Sequence, residues 1–184
     1  MNMFYLSTSP QECAEWSVNS HCVKMILESA QLLSTAHRLL DGAEYTDKTK
    51  TGRNVKRWRL PDWRDDKIYT ATHMNHPCAV WCRETSSNYR WLHGLLIEYC
   101  KEYTFRYGKT HVIDRSGLLS DLSMLPKNID VDGFSTPPSC MDTKYIISED
   151  PIINYRNYYK YGKAHLHKWK ERQPPYWILD YMGD

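Results

Sequence analysis

Phenylalanine is scarce in this chain, with 3 residues against 14 Tyr and 7 Trp. Its aromatic side chains therefore nearly all carry a hydrogen-bonding tip, which suits binding surfaces as well as cores. A long apolar run is missing, and so is a signal peptide; together these exclude an ordinary membrane-spanning helix and lead us to expect a cytoplasmic protein with reduced thiols and no membrane partner. No CxxC pair occurs among the cysteines at 13, 22, 78, 82, 100 and 140, so the usual zinc-finger spacing is excluded. Cys78 and Cys82 lie one helical turn apart near His76 and could in principle hold a metal. Free cysteines are commonly buried small hydrophobes, however, so no metal and no cofactor is expected. Repeats and low-complexity segments are absent, and strand signals are weak throughout. A net charge of +2 is too small to establish a polyanionic partner by itself.

What is present is helical periodicity. In the stretch from His21 to Leu40, the polar residues His21, Lys24, Glu28, Gln31, Thr35 and Arg38 recur at alternating steps of three and four. At 3.6 residues per turn they share one narrow stripe. The rest is apolar or small, including Val23, Met25, Ile26, Leu27, Leu32 and Leu33. This pattern predicts a central helix buried on most sides, with one polar edge that either meets solvent or faces a partner. Asn19 or Ser20 can cap it, and Gly42 is placed to end it.

The flanking segments fit around that helix. Ser9-Pro10-Gln11-Glu12 has capping-box spacing and predicts a short helix through about Trp16. Residues 43–62 lack a period and read as a loop. Helix is expected again at Trp63–His73, in the segment opened by His76-Pro77, from Asn88 to Tyr107 before Gly108, and in a turn at Leu118–Leu125. Asp150-Pro151 predicts a last helix to about Lys170, interrupted at Gly162, before an aromatic tail packed on the body. The expected fold is all-α: one helical domain spanning 1–184, with loop insertions at about 43–62 and 126–147.

Charge is unevenly spread. Residues 48–59, KTKTGRNVKRWR, hold six basic residues and no acidic one. From Arg156 to Arg172 there are six more against a single Glu171, interleaved with Tyr158, Tyr159, Tyr161 and Trp169. Phosphate contacts beside stacking faces suit a nucleic-acid groove, although solvated basic faces look the same in sequence.

Three separated blocks then resemble one family. The pair His21 and Glu28, the block from His76 into a long Leu/Glu/Arg helix, and YYKYGKA (Tyr158–Ala164) are similar, in the same order, to the bacteriophage pyrimidine-dimer DNA glycosylases of the endonuclease V type. The resemblance implies a small helical fold, DNA as partner, and Glu28 as the essential carboxylate on the helix that enters the DNA, with His21 beside it. It further implies that the Tyr158–Lys163 segment holds DNA, and that the setting is a host-cell cytoplasm. The chain also departs from the family. It begins Met1-Asn2-Met3, where the family exposes the amine of a Thr by removing Met, and Asn2 should discourage that removal. Leu27 and Gln31 stand in place of family arginines, and Lys24 is added one turn before Glu28.

Imine-forming glycosidic cleavage needs an amine, a carboxylate and an extruded nucleotide. Glu28 is the expected charge stabiliser and general acid/base, and His21 and Lys24 flank it. Met1 or Lys24 supplies the amine; Lys24 does so only if burial deprotonates it, and an ion pair with Glu28 is its commoner fate. Arg53, Lys56, Arg57, Arg59, Lys160 and Lys163 are expected at phosphates, Trp58, Tyr159 and Tyr161 under bases, and Gln31 and His76 at the DNA surface. The expected enzyme is a monomeric DNA glycosylase acting on a damaged or modified pyrimidine. Two alternatives stay open: a transferase elaborating thymine in DNA with a small-molecule co-substrate, and a non-catalytic DNA-binding protein.

Overall fold

A computed structural model of the chain describes residues 1–182. Ser9 Oγ accepts the Glu12 N–H at 3.4 Å and starts α1 (Pro10–Trp16), with Pro10 in the first turn where its missing N–H costs nothing. The central helix is α2 (Asn19–Asp41). Its cap position is Val18, without a side-chain cap. Asn19, an expected cap, instead accepts on its Oδ1 from Arg106 Nη1 at 3.1 Å and from the Lys170 N–H at 2.8 Å.

Met25, Ile26, Leu32 and Leu33 on α2 are fully buried. They join the core shared with α4 (Pro77–Glu84) and α5 (Ser86–Tyr107), both of which pack on α2. Each such side chain contributes about 1.5–3 kcal/mol by leaving water. The Thr85 hydroxyl caps α5 on the Asn88 N–H at 3.0 Å, two residues earlier than expected, and left-handed Gly108 (φ 64°) ends it. Arg106, near the end of α5, is buried whole. Its guanidinium donates to Glu102 at 2.6 Å and to the carbonyls of Glu15 and Ser17, locking α5 onto the α1–α2 junction.

The architecture is mainly helical but not all-α. Residues 43–62, expected as a loop, form an antiparallel hairpin of β1 (Ala43–Lys48) and β2 (Asn54–Arg59) with Gly52 at φ 81° in its turn. Both faces of this ribbon meet solvent along most of its length, so no apolar alternation marks it. Polar cross-strand contacts hold it instead: Lys56 reaches Glu44 at 2.8 Å, and Arg59 lies over the Tyr45 ring at 4.9 Å.

The helix expected at Trp63–His73 shrinks to α3 (Arg64–Lys67). Arg38 explains the stop. Its buried guanidinium takes the carbonyls of Asp65, Ile68 and Tyr69, which a continuing helix would need for its own ladder. After α6 (Val112–Arg115) and α7 (Leu118–Asp121), shorter than the expected turn to Leu125, residues 122–150 are irregular except for a 3-10 turn at Thr143–Tyr145.

Asp150 caps α8 (Pro151–Asn157) on the Ile152 N–H at 2.8 Å, as expected. The helix does not run on to Lys170. It widens into a π turn over Tyr158–Gly162, closed by the Lys163 N–H on the Tyr158 carbonyl at 3.1 Å, and ends in a 3-10 turn at Ala164–Leu166. A Cβ on Gly162 would sit 2.4 Å from the Tyr158 ring, so any larger residue would have to displace that ring and its neighbour Tyr145. The tail returns as α9 (Tyr176–Met182) with Trp177 and Ile178 buried and Arg156 stacked on Trp16 and Trp177; its last two residues, 183–184, lie outside the described residues.

Candidate functional site

The polar stripe of α2 divides into two. Thr35 and Arg38 are buried at its C-terminal end, where they organise the chain around Thr72 and α3. His21 and Glu28 are also buried, at 5% and 8% exposure, under the N-terminal arm. The residues that reach solvent are Val23, Lys24 and Leu27, with Gln31 half-exposed. Val23 and Leu27, expected inside, are 42% and 43% exposed, leaving an apolar step on either side of Lys24.

Three nitrogen groups converge on the Glu28 carboxylate. The Asn2 main-chain N–H donates to Oε2 at 3.0 Å, the Met1 amine lies 3.9 Å from the same oxygen, and Lys24 Nζ is 3.1 Å from Oε1. Lys24 therefore forms the helical ion pair. Its side chain is 67% exposed, so the burial that would deprotonate a lysine is absent.

Asn2 holds the arm in place, a role that the sequence alone does not suggest for it. Its Oδ1 accepts from the Met3 and Phe4 N–H groups at 2.8 and 3.2 Å and from the Tyr155 hydroxyl at 2.9 Å, while its Nδ2 donates to the Cys140 carbonyl at 2.7 Å. Asparagine's habit of bonding nearby backbone was the one available signal. Phe4, at φ 46°, then stacks on His21 with ring centroids 4.1 Å apart.

His21 Nδ1 shares a 2.6 Å hydrogen bond with the Tyr159 hydroxyl. Burial, then the charges of Lys163, Lys24 and His165, pull the imidazole down to about 3. It is therefore neutral near pH 7, and it meets the arm as an uncharged ring stacked on Phe4. Tyr159 corrects an expectation. It is fully buried and cannot stack under a base, because the π turn rotates it inward onto His21. Neighbouring Tyr161 is 55% exposed, Lys160 is half-buried, and Lys163 lies over the Tyr158 ring at 4.9 Å.

His76 begins α4, its Nδ1 accepting the Cys78 N–H at 3.2 Å. Burial lowers its basicity, the Met1 ammonium and His73 lower it further, and Glu28 opposes them, so His76 lies in electrostatic reach of the carboxylate site. Cys82, paired with Cys78 in the sequence, is buried in the core. Cys140 takes its place: the Cys78 thiol donates to Cys140 Sγ at 3.4 Å. That bond, with burial, holds the Cys78 thiol well up; the same bond pulls the Cys140 thiol below its ordinary value, against the opposing effect of burial.

The first basic cluster is gathered on the hairpin, with Arg53 exposed at the turn, Arg57 and Trp58 half-buried, and Lys56 and Arg59 engaged with Glu44 and Tyr45. At about 1.5 Å rise per residue the hairpin leaves α2 roughly 20 Å from Glu28. The second cluster lies at the other end of α2, since Tyr159 bonds His21 and the Lys168 carbonyl and Lys170 N–H both meet Asn19. Compared with family models, curated proteins and solved structures, the chain matches none of them.

Proposed function

We propose that this chain is a DNA-acting enzyme that cleaves the glycosidic bond of a damaged or modified pyrimidine, on a scaffold of the pyrimidine-dimer-glycosylase type. The observation that carries the reading is the Met1 amine 3.9 Å from a buried glutamate, on a helix with basic groups to either side. An α-amine, once deprotonated, has the lone pair to attack a sugar carbon. Its lone pair forms the bond to C1′ and the N1–C1′ bond breaks, its electrons leaving with the base, which takes a proton. Ring opening at O4′, with proton loss from the nitrogen, gives the imine. Glu28 stabilises the positive sugar and moves those protons. Val23 and Leu27 offer an apolar wedge beside the gap left by an extruded nucleotide.

Borohydride added to the protein with undamaged or UV-irradiated DNA tests this directly. Hydride delivered to the imine carbon should leave a stable protein–DNA adduct joined at the N-terminal nitrogen. Absence of both adduct and abasic product defeats the reading. Nucleosides recovered with added mass, and no abasic sites, would establish base transfer on the same scaffold in its place.

A further inference from the structure

We infer that His76, Cys78 and Cys140 form a binding site for one thiophilic divalent cation of the zinc type. One donor atom from each residue lies within 4.8 Å of the other two, and the two sulfurs are 3.4 Å apart. A small inward or outward adjustment brings such a set to tetrahedral bonding distances of about 2.3 Å for sulfur and about 2.0–2.1 Å for nitrogen. Two thiolates would neutralise the ion, and thiolate with imidazole is the donor set that prefers zinc over calcium or magnesium. The imidazole has one lone pair to give. It binds either through Nδ1, releasing the Cys78 N–H it now caps, or through Nε2 once the ring proton has moved to Nδ1.

The placement argues for more than two neighbouring thiols. The ligands come from the start of α4 and from the far end of the irregular segment that follows α7, 62 residues apart. A cation there closes that long segment onto the helical body, the linkage that rewards metal binding most. Cys140 also offers its carbonyl to Asn2 Nδ2 at 2.7 Å, so the same ion would fix the residue that sets Met1 and Asn2 over Glu28. Cys78 is fully buried, whereas His76 and Cys140 are half-exposed, which gives the ion an entry path and leaves a fourth position for water or a ligand.

The test uses the full chain, reduced and stripped with chelator, titrated with cobalt(II) alone. A thiolate-to-cobalt absorption in the near ultraviolet, with tetrahedral bands in the visible, should saturate at one ion per chain and be bleached by zinc. Because Cys78→Ser places a hydroxyl in the core and can cost the fold, Cys140→Ser and His76→Ala are the deciding variants. Each should keep the helical circular dichroism spectrum and weaken cobalt binding by at least about tenfold. Zinc should raise the melting temperature of the unaltered chain and leave that of Cys140→Ser unmoved. No cobalt band, or a band whose affinity is unchanged in both variants, overturns the site. So does a Cys78–Cys140 disulfide that forms in the presence of excess zinc, since it would make the pair a redox couple.

Discussion

The main-chain nitrogen of Asn2 lies 3.0 Å from Glu28 Oε2, closer than the Met1 amine on the same carboxylate oxygen. The arm is thus held against α2 by its second residue, and the position of the first follows from it. Asn2→Ala removes four side-chain hydrogen bonds, two to the arm's own backbone and one each with Tyr155 and Cys140. Leaving those groups unpaired should cost about 1–3 kcal/mol. Urea melts of both proteins measure the loss, and borohydride trapping should fall by more than the small change in folded fraction explains. Trapping that persists at full rate would mean the arm does not position the amine.

Glu28→Gln keeps the size and the Asn2 hydrogen bond but removes the charge that attracts the Met1 amine and Lys24. Adduct formation and abasic product should both drop by two or more orders of magnitude, about the value of a positioned acid–base group. Affinity for duplex DNA, read by fluorescence anisotropy, should hold or rise, because one negative charge facing phosphates is gone. Weakened binding together with intact cleavage would take Glu28 out of the chemistry.

Buried His21 makes stability depend on pH in a defined window. Its folded-state value of about 3 lies below the ordinary 6.5, so between those limits the unfolded chain binds the extra proton. Stability should be full above about pH 6.5 and fall as the pH drops toward 3. His37, pulled down to about 4 by burial and Arg64, adds to the same slope. The double variant His21→Phe, Tyr159→Phe removes the titrating group and its hydroxyl partner together. Its urea midpoint should decline less steeply from about pH 6.5 to about 4.5 than that of the parent chain; equal slopes would contradict the assignment.

The parts of this fold that were legible in the sequence are those with a local cause. Ser9 and Asp150 cap the helices they precede, Gly108 ends α5, and the Lys24–Glu28 spacing gives the ion pair it suggests. What escaped depends on distant partners. The ribbon carries no alternation because neither face is covered, and Trp63–His73 is unwound by Arg38, a residue of another helix. Tyr159 sits in a basic, aromatic segment that looks like a surface, yet the turn widened at Gly162 sends it onto His21. Cys140 could not be matched to Cys78, since nothing in spacing links residues on either side of three helices and a long irregular segment. In the candidate site, Glu28 and Lys24 were visible as a helical pair, while Asn2 owes its position to three different segments.

The hairpin should supply salt-sensitive DNA affinity without supporting the core. Arg53 is exposed and Arg57 half-buried on a ribbon that meets solvent, so Arg53→Ala and Arg57→Ala should leave the melting temperature nearly unchanged. Removing one arginine–phosphate pairing should reduce the slope of log K against log salt by about 0.9. An unaltered slope in the double variant would place the DNA, if it binds, on another face.

Gly42 joins α2 to β1 and sets the angle at which the ribbon leaves the body. Its backbone is ordinary (φ −93°), so the need for glycine is steric rather than conformational. A Cβ at this position would stand 2.4 Å from the Arg38 carbonyl oxygen and 3.0 Å from Trp58 Cβ. Neither neighbour yields easily, since the first is helix backbone and Arg38 itself is pinned on the carbonyls of Trp58, Asp65 and Ile68. Gly42→Ala must therefore push the strand outward, at about 1–3 kcal/mol, the usual range for forced overpacking. Because the hairpin and Glu28 lie on opposite sides of that joint, DNA affinity should fall with the displaced strand. Trapping at saturating DNA should still proceed, since the arm and Glu28 are held independently of the ribbon. Calorimetry and anisotropy on the same variant separate the two effects: a stable protein with unchanged affinity would show that the angle at Gly42 does not matter.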